Sequence, residues 1–465
     1  GMLLPQIEAG RLQILYRARP VAVIRDGDSI TSVTVEGIDG ERTDVRATWF
    51  LDATELGDLL PLADVPWVTG AESREQTHEP DARPDGPAPQ LTQTWTMPFV
   101  VEVCPGENHT ISRPANYERM RDEQPYTLTL TYGERDLTYK VFEAVTDLPG
   151  AFWTYRRILS AASFEPGEVA GDLAMINWPG NDFKGGDLIG ATPHERRSLI
   201  EQAKDLSLGL LYWLQTEVPR DDGSGHGYPE LRLRTDVLGT DDGMSMAPYI
   251  RESRRMMART TVRQQDVSAR YQQGARAADC TDSVGVGWYP IDIHGALGDV
   301  AATGPTRPFQ IPLGALIPRD GPGNLLAACK NLGTTHMTSG CYRLHPVEWN
   351  IGEAAGALAA FCLAEGCGAV AVHEREELLR RFQTRLVEVG VPLYWFTDVP
   401  IGHAAFTATQ RLAVGGIWQG GVEDLLFRPD EALDDVQRAG LSRHFPAHVL
   451  SADGVSRADA AVALA

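Results

Sequence analysis

The chain has 465 residues, of which 43% are hydrophobic and 23% are charged. This length predicts two or three folding units, and the composition excludes a disordered or collagen-like protein. The formal net charge of −21 argues against a nucleic-acid partner and against docking on anionic membranes, because both need basic surfaces. The basic residues are 38 Arg and only 4 Lys, a bias that we attribute to genome composition. The composition therefore favours a multi-domain enzyme.

Membrane-targeting segments and metal-binding motifs are not recognised in the sequence. No stretch reaches the roughly 20 uncharged apolar residues that a membrane-spanning helix needs. The first residues lack the basic and apolar regions of a signal peptide. The six cysteines are spread along the chain without metal-ligand spacing. We therefore predict reduced thiols, no metal site and a cytoplasmic location.

The first 60 residues predict a sheet. Strands over 21–24 and 30–35 flank Asp26-Gly27, a dipeptide that favours a hairpin because both positions tolerate positive φ. A second turn at Asp39-Gly40 leads into a strand over 45–51, whose apolar end indicates burial on both faces. A short polar loop follows. This part of the chain therefore predicts a three-stranded meander that feeds a buried strand.

The next segments predict a linker, a second sheet and a long helix. Residues 70–90 are rich in Glu, Asp, Pro and Gly, which predicts a linker or a surface loop. The alternating pattern over 126–132 predicts a strand of a separate sheet. A long helix is predicted to begin after Thr192, because Pro193 suits the first helical position and Glu195 completes a capping box.

A strand, a loop and a helix follow one another in the last third of the chain. Residues 324–328 predict a short buried strand, and 329–340 form a loop of small and polar residues. A helix follows Pro346 and runs through 350–360. Ligands of α/β proteins bind beyond the carboxyl ends of strands in such units. The small residues of the helix suit either a flat ligand or plain packing, and spacing alone does not decide between them.

Three polar clusters are candidates for chemistry. No Gly-x-Gly-x-x-Gly opens a helix, and no Walker A, nucleophile-elbow or zinc-protease motif is present. The first cluster, 251–255, has three arginines and a glutamate that suit an anionic ligand or, alternatively, a structural Arg–Glu network. In the second, Asp292 and His294 share one face of an extended chain, so that a carboxylate can orient an imidazole. The third cluster is His336, Arg343 and His345, and structural roles stay open for all three clusters.

Five segments together resemble a known family. They cover most of residues 20–365 in the order of that family, and they are 50–60, 246–255, 282–294, 307–317 and 324–361. The chain resembles the bacterial FAD-dependent oxidoreductase family, whose FAD domain has the glutathione-reductase-type fold. The last segment is the most specific, since it contains a strand, an Asn-x-Gly-Thr-Thr-His loop and a Gly-x-Ala-Ala-Gly helix.

The resemblance implies an α/β fold with four parts. Residues 1–70 and 306–372 are expected to form an incomplete Rossmann-type FAD/NAD(P)-binding domain. Residues 71–305 are expected to form an inserted α+β substrate domain, and residues 373–465 a small helical C-terminal region. The function implied is an oxidoreductase that uses FAD to remove hydride from a small organic or sugar-like substrate.

The resemblance also assigns roles to individual residues. It places FAD contacts at Asp52, Ala53, Thr54, Gly333, Thr334, Arg343, Gly352, Ala354 and Ala355. The helix that begins at Gly352 is expected to direct its N-terminal dipole at the flavin pyrimidine ring, where reduced flavin is anionic. His294, oriented by Asp292, is the first candidate for the catalytic base, and His345 is the second.

The sequence departs from the family pattern in two places. Glu55 replaces a glycine, and the family's opening strand, Gly-x-Gly-x-x-Gly and helix are not found. A truncated gene or protein, a partner chain that supplies this βαβ unit, and a protein that has lost FAD are the three explanations. We therefore expect weak or no FAD binding by this chain alone, and an exposed apolar sheet edge that favours a homo-oligomer or a partner chain. A flavin-free binding or scaffold protein is the alternative function.

The C-terminal region carries a second resemblance. Residues 396–430 resemble one S-layer-homology repeat, and 456–461 resemble the closing Arg-Ala-x-x-Ala helix of that repeat. Such repeats anchor proteins to the cell wall, usually in several copies, so the tail leaves a cell-surface location open. The alternative is a small helical appendage that packs on the body of the protein.

Overall fold

The computed structural model describes residues 3–132, 135–295, 302–445 and 455–464, and the side chains of these residues except 131 and 132. The chain divides into two compact units. Unit 1 comprises Gly1–Pro89, Ser253–Ile291 and Gly304–Ala465, and unit 2 comprises Gln90–Glu252 and Asp292–Thr303. The sequence predicts an inserted domain over 71–305, whereas a stretch of that range, Ser253–Ile291, belongs to unit 1.

Helices and strands are mixed along the described chain, as expected for an α/β protein. The helices are α1 Leu4–Glu8, α2 Leu59–Leu62, α3 Arg74–Thr77, α4 Tyr117–Glu123, α5 Phe152–Arg156, α6 Pro193–Thr216, α7 Gln264–Val267, α8 His336–Tyr342, α9 His345–Glu365, α10 Ala369–Glu374, α11 Glu376–Glu388, α12 Phe406–Val414, α13 Asp435–His444 and α14 Arg457–Leu464. Single 3₁₀ turns lie at Ala161–Ser163, Pro179–Asn181 and Leu313–Leu316.

The strands are β1 Ala18–Asp26, β2 Ser29–Gly37, β3 Arg42–Arg46, β4 Phe50–Asp52, β5 Trp67–Val68, β6 Trp95–Thr96, β7 Phe99–Val103, β8 Thr129–Tyr132, β9 Arg135–Thr138, β10 Arg157–Leu159, β11 Leu173–Ile176, β12 Asp182–Phe183, β13 Leu231–Leu233, β14 Arg255–Met256, β15 Ser283–Gly287, β16 Ile291–Ile293, β17 Ala302–Gly304, β18 Phe309–Pro312 and β19 Leu325–Ala327. Most are short, and only β1 and β2 reach nine residues.

Unit 1 begins with the predicted meander. Strands β1, β2 and β3 pair in chain order, and the β1–β2 hairpin turns at Gly27, whose φ of 57° suits a glycine. The prediction of one strand over 45–51 is wrong, because β3 ends at Arg46 and β4 begins at Phe50. The two strands have different partners: β3 is the exposed edge of the meander, whereas β4 pairs in parallel with β19.

The β4–β19 pair forms the parallel part of unit 1. Phe50 lies opposite Leu325 and Asp52 opposite Ala327, so both carboxyl ends are at the same edge. The long exposed apolar edge that the sequence predicts is not found at this pair, since each strand has three residues and β19 is completely buried. Helices α8 and α9 follow β19. A Cβ at Gly352 would lie 3.2 Å from the carbonyl oxygen of Ala328, so this glycine permits the close approach of α9 to the strand end.

Unit 2 contains a four-stranded antiparallel sheet in the order β10-β11-β7-β13. The long helix α6 begins as predicted: the Thr192 hydroxyl accepts from the backbone of Glu195, and the Glu195 carboxylate accepts from the backbone of Thr192. The apolar face of α6 is buried. Strands β6 and β12 form a separate antiparallel pair in which Thr96 lies opposite Asp182. This pair carries two side chains of the site described below.

The C-terminal region is helical, as predicted, and belongs to unit 1. The guanidinium of Arg457 stacks over the rings of Trp418 and Phe427, which ties α14 to the preceding segment. In the described part of the chain, no helix combines the length and the apolar character needed to cross a membrane. All six cysteines lie among the described residues and are free thiols.

Candidate functional site

Asp52, at the end of β4, is held inside unit 1. Its side chain accepts hydrogen bonds from the Thr54 backbone N–H at 3.0 Å, from the Thr54 hydroxyl at 2.7 Å and from the Leu59 backbone N–H at 3.1 Å. Burial raises the pKa of Asp52, although these hydrogen bonds act in the opposite direction. Its carboxylate thus shapes the turn that leads to α2. Of the predicted contacts in this turn, Ala53 is exposed and Thr54 is half-buried.

The loop after β19 is hydrogen-bonded to the carboxyl end of β4. The Asp52 carbonyl oxygen accepts from the Ala328 backbone N–H at 2.9 Å and from Asn331 Nδ2 at 3.0 Å. Asn331 is buried, and its side chain fixes the loop against β4. The structure therefore ties the end of β4 to the loop after β19 through an asparagine that the sequence showed only as part of a motif.

Lys330 adds a buried cation to this loop. Its Nζ lies 2.7 Å from Glu55 Oε2 and 3.6 Å from Glu348 Oε2. Burial by itself lowers the pKa of Lys330, but the carboxylates of Glu348 and Glu55 outweigh it, so the pKa is raised and the amine stays charged. Sequence reasoning missed Lys330 and treated Glu55 only as a departure from the family. The signal available was that Lys330 is one of only 4 lysines.

Gly333 and Thr334 lie between β19 and α8 and are buried. A Cβ at Gly333 would lie 2.3 Å from the Thr260 carbonyl oxygen and 2.6 Å from the Ala258 Cβ, so packing within the chain itself requires this glycine. The Thr334 hydroxyl is buried and has no hydrogen-bond partner among the described residues. Such a group normally meets a further polar atom from water or a ligand.

The arginine cluster of residues 251–255 is held by acids. In unit 1, Arg254 lies 3.1 Å from Asp58, and Arg255 lies 2.7 Å from Glu72. Arg255 Nε also donates to the Thr334 carbonyl oxygen at 3.2 Å. These contacts favour the structural alternative for the two arginines, in which acidic side chains hold the guanidinium groups.

Two glutamates organise the start of α8, in a region that the sequence predicts as a linker or surface loop. Glu72 accepts from the His336 backbone N–H at 2.8 Å, and Glu79 accepts from the Thr335 hydroxyl at 2.6 Å. Glu79 is buried, and burial raises its pKa despite hydrogen bonds from Thr335 and the Gln264 backbone. The buried position of Glu79 shows that 70–90 is not simply a surface loop.

The remaining predicted residues of unit 1 lie around the start of α9. Arg343 is buried directly after α8, and His345 is exposed as the first residue of α9. The predicted helix after Pro346 is confirmed, but the expectation that Gly352 begins it is wrong, because Leu344 is the N-cap of α9 and Pro346 lies in its first turn. Gly352 is therefore about two turns inside the helix. Ala354 and Ala355 follow Gly352 in the same helix, and both are buried inside the protein.

A second group of predicted residues lies in unit 2 and centres on His294. Asp292 lies in β16 and His294 directly follows this strand, with 3.3 Å between Asp292 Oδ2 and His294 Nε2. The opposite ring nitrogen, Nδ1, lies 2.5 Å from Asp182 Oδ2. A carboxylate thus stands at each ring nitrogen, so whichever nitrogen carries the proton has an acceptor. The Thr94 backbone N–H donates to the His294 carbonyl oxygen at 3.0 Å, which fixes the backbone.

Asp182 is the residue of this group that sequence reasoning missed. Its Oδ1 lies 2.7 Å from the Thr96 hydroxyl and 2.9 Å from the guanidinium of Arg251. Burial alone raises the pKa of Asp182, but the charges of Arg251 and His294 and the hydrogen bonds from His294 and Thr96 outweigh it and hold the pKa well below its usual range. Asp182 is therefore an ionised, buried carboxylate aimed at the imidazole. It is 112 residues from His294 in the chain, and no local pattern marks it.

A buried parallel strand pair that is followed by a polar loop and a helix is typical of α/β proteins that bind nucleotide cofactors. A family model described as FAD dependent oxidoreductase matches residues 2–386. The chain belongs to this family of FAD-dependent oxidoreductases. Comparison with curated proteins and with solved structures gave no match.

The residues at the end of the parallel pair fit a flavin cofactor. The exposed Ala53 and half-buried Thr54 leave their turn open to a ligand, and the Thr334 hydroxyl lacks a partner among the described residues. The first turn of α9 adds the positive end of a helix dipole. These features suit a planar group with polar edges and developing negative charge.

Proposed function

We propose that the protein oxidises a small organic or sugar-like molecule, removing hydride from a carbon that bears a hydroxyl or an amine. His294 is the general base: it accepts the proton of the hydroxyl or amine while the hydride leaves the carbon. The product is then a carbonyl compound or an imine. The observation that carries this proposal is the imidazole of His294 held between the carboxylates of Asp182 and Asp292.

The two carboxylates have different tasks. Asp182 is buried, ionised and bonded to Arg251, so it is a fixed acceptor that orients the ring through Nδ1. Asp292 is half-buried and lies farther from the ring, at 3.3 Å from Nε2. We assign Nε2 to proton transfer, because this nitrogen has the looser partner and can exchange it for a substrate hydroxyl.

FAD would be held by unit 1. Residues 52–54, Gly333 and Thr334 would line it, with the N-terminal turn of α9 near the charge that develops on reduction. Bound FAD supplies the hydride acceptor. Arg343, Gly352, Ala354 and Ala355 complete the set of proposed contacts, and His345 is the second candidate base.

Flavin binding is the first test. Purified protein is dialysed to equilibrium against increasing concentrations of FAD, and bound flavin is measured by its absorbance at about 450 nm, where oxidised flavin absorbs. We expect weak, saturable binding that approaches one flavin per chain. A protein that stays colourless contradicts the proposal and favours a flavin-free binding or scaffold protein.

The role of His294 is the second test. The flavin-loaded protein is mixed without oxygen with a panel of sugars, alcohols and amines, and flavin reduction is followed by the loss of absorbance. With a substrate found in this way, His294→Ala should slow reduction at least about 100-fold, the usual contribution of a general base. His226→Ala, an exposed histidine of the same unit, is the matched control and should change little. A loss below about threefold for His294→Ala would exclude His294 as the base.

A further inference from the structure

Three potential metal ligands of different chemistry meet in unit 2, away from the residues discussed so far. They are Cys104, Glu107 and His109, in the loop that follows β7. One ligand atom of each residue lies within 4.8 Å of the others, and His109 Nε2 is 2.7 Å from Glu107 Oε2. Among the described residues, no other group of three such side chains meets this condition.

We propose that Cys104, Glu107 and His109 bind a zinc ion, with a water molecule in the fourth position. Thiolate, imidazole and carboxylate are the ligands that zinc takes in proteins, at about 2.3, 2.0–2.1 and 2.0–2.2 Å. Tetrahedral geometry with these bond lengths separates the ligand atoms by about 3.3–3.8 Å. Side-chain rotations that move the ligand atoms by about 1 Å are therefore enough to form the site.

The backbone of the loop is fixed before any ion binds. The Cys104 N–H donates to the Glu230 carbonyl oxygen at 2.8 Å, and the His109 N–H donates to the Pro229 carbonyl oxygen at 2.8 Å. Between them, the Glu107 N–H closes a turn on the Cys104 carbonyl oxygen at 3.1 Å. Two of the three ligands are thus anchored to one neighbouring segment. A prearranged loop binds an ion without the cost of ordering the chain.

The surrounding charges permit a cation. Arg232 and Arg234 are close enough to Cys104 to interact with it electrostatically. Both pair with the buried carboxylate of Glu102, at 2.5 and 2.9 Å, so much of their positive charge is compensated. Glu107, by contrast, is largely exposed, so its carboxylate can rotate from His109 Nε2 toward an ion.

The spacing Cys-x-x-Glu-x-His explains why sequence reasoning predicted no metal site. Zinc motifs are recognised by pairs of cysteines and histidines, and here a carboxylate stands in the middle position. The turn at 104–107 and the anchor at His109 are what bring the three side chains to one point.

The test is metal binding by the full chain after dialysis against a chelator. Zinc uptake is measured by equilibrium dialysis with elemental analysis, and cobalt(II) serves as the spectroscopic probe. We expect one equivalent of metal and, with cobalt, a thiolate-to-metal charge-transfer band. Cys104→Ser and His109→Ala should each weaken zinc binding at least about tenfold. Cys367→Ser and His226→Ala, which change the same residue types elsewhere, should bind as the unmodified protein does.

Three results would overturn the proposal: no stoichiometric uptake, a cobalt spectrum without a thiolate band, or equal affinity in Cys104→Ser. Circular dichroism establishes whether each variant is folded. If Cys104→Ser or His109→Ala is not folded, Glu107→Gln decides, because this exposed side chain does not contribute to the core. Unchanged zinc affinity in a folded Glu107→Gln variant counts against the site. These measurements need no flavin, so they are independent of the proposed oxidoreductase activity.

Discussion

Asp182→Asn is the most informative single change, because it removes one charge from a buried cluster and keeps the shape of the side chain. In the native protein Oδ1 accepts from Thr96 and Arg251, and Oδ2 accepts from His294. An asparagine can keep the first two hydrogen bonds through its carbonyl oxygen. It presents an N–H group to His294 Nδ1, so the imidazole is forced into the opposite tautomer. The guanidinium of Arg251, only 3% exposed, is left without a counter-charge.

The magnitude follows from that uncompensated charge. Breaking a buried ion pair by removing one partner costs about 3–5 kcal/mol. Because the asparagine retains two hydrogen bonds, we expect the lower end, about 3 kcal/mol. Urea unfolding followed by tryptophan fluorescence measures this loss. In a unit of this size, each kcal/mol lost from the free energy of unfolding lowers the melting temperature by about 2–4 °C. We therefore expect the melting temperature to fall by about 6–12 °C.

Two comparisons separate the charge effect from other causes. Asp236→Asn removes an exposed carboxylate that also pairs with an arginine, Arg234, and it should leave the urea midpoint unchanged. Arg251→Met in the Asp182→Asn background removes the stranded cation, so the double variant should be more stable than the sum of the single losses predicts. A loss below about 1 kcal/mol for Asp182→Asn, or strict additivity in the double variant, would refute the reasoning.

The difference in stability should also depend on pH. The folded pKa of Asp182 lies below the unfolded value of about 3.9. The contribution of this carboxylate is therefore complete above that unfolded value and is lost as the pH falls below it. The difference in unfolding free energy between the native protein and Asp182→Asn should stay constant from pH 7 to about 5 and become smaller below about pH 4. A gap that widens toward acid would contradict the assignment.

Two further predictions concern unit 1. Lys330→Met should lower the free energy of unfolding by about 2–4 kcal/mol at pH 7, because it leaves the half-buried Glu348 without its cation. The prediction would be contradicted by a loss of stability no larger than that of Arg385→Met, which breaks an exposed ion pair. The second prediction concerns Glu79→Gln. When the pH is lowered from 7 to 5, the free energy of unfolding should increase less in this variant than in the native protein. The raised pKa of Glu79 means that its ionised form costs stability, and protonation removes that cost. An unchanged gain would show that Glu79 does not titrate there.

Local patterns in the sequence predicted the parts of the fold that local interactions determine. The start of α6 follows from Thr192, Pro193 and Glu195, which satisfy the first backbone N–H groups of the helix. The β1–β2 hairpin follows from Gly27, which adopts a positive φ. The contact of Asp292 with His294 follows from the two-residue period of a strand. In each case all the determinants lie within a few residues of one another.

The features that the sequence did not predict depend on distant partners. The predicted strand over 45–51 is divided because its first half pairs with β2 and its second half with β19, which lies about 275 residues further along the chain. Asp182 reaches His294 because β12 pairs with β6, and a two-residue strand leaves no recognisable period. Lys330 meets Glu55 only when β4 and β19 lie side by side. Charge and spacing along one sequence contain no information about such pairings.

The arginine content of the chain has a structural use that its composition did not reveal. Arg251 donates to the Thr94 carbonyl oxygen, the Thr96 hydroxyl and the Asn177 amide oxygen while it pairs with Asp182. Arg255, completely buried, donates to two carbonyl oxygens and a carboxylate. The planar guanidinium offers five donors in fixed directions, whereas a lysine ammonium offers three on a flexible stem. Genome composition alone therefore does not explain arginine at these two positions, and lysine in either place would leave buried acceptors unpaired.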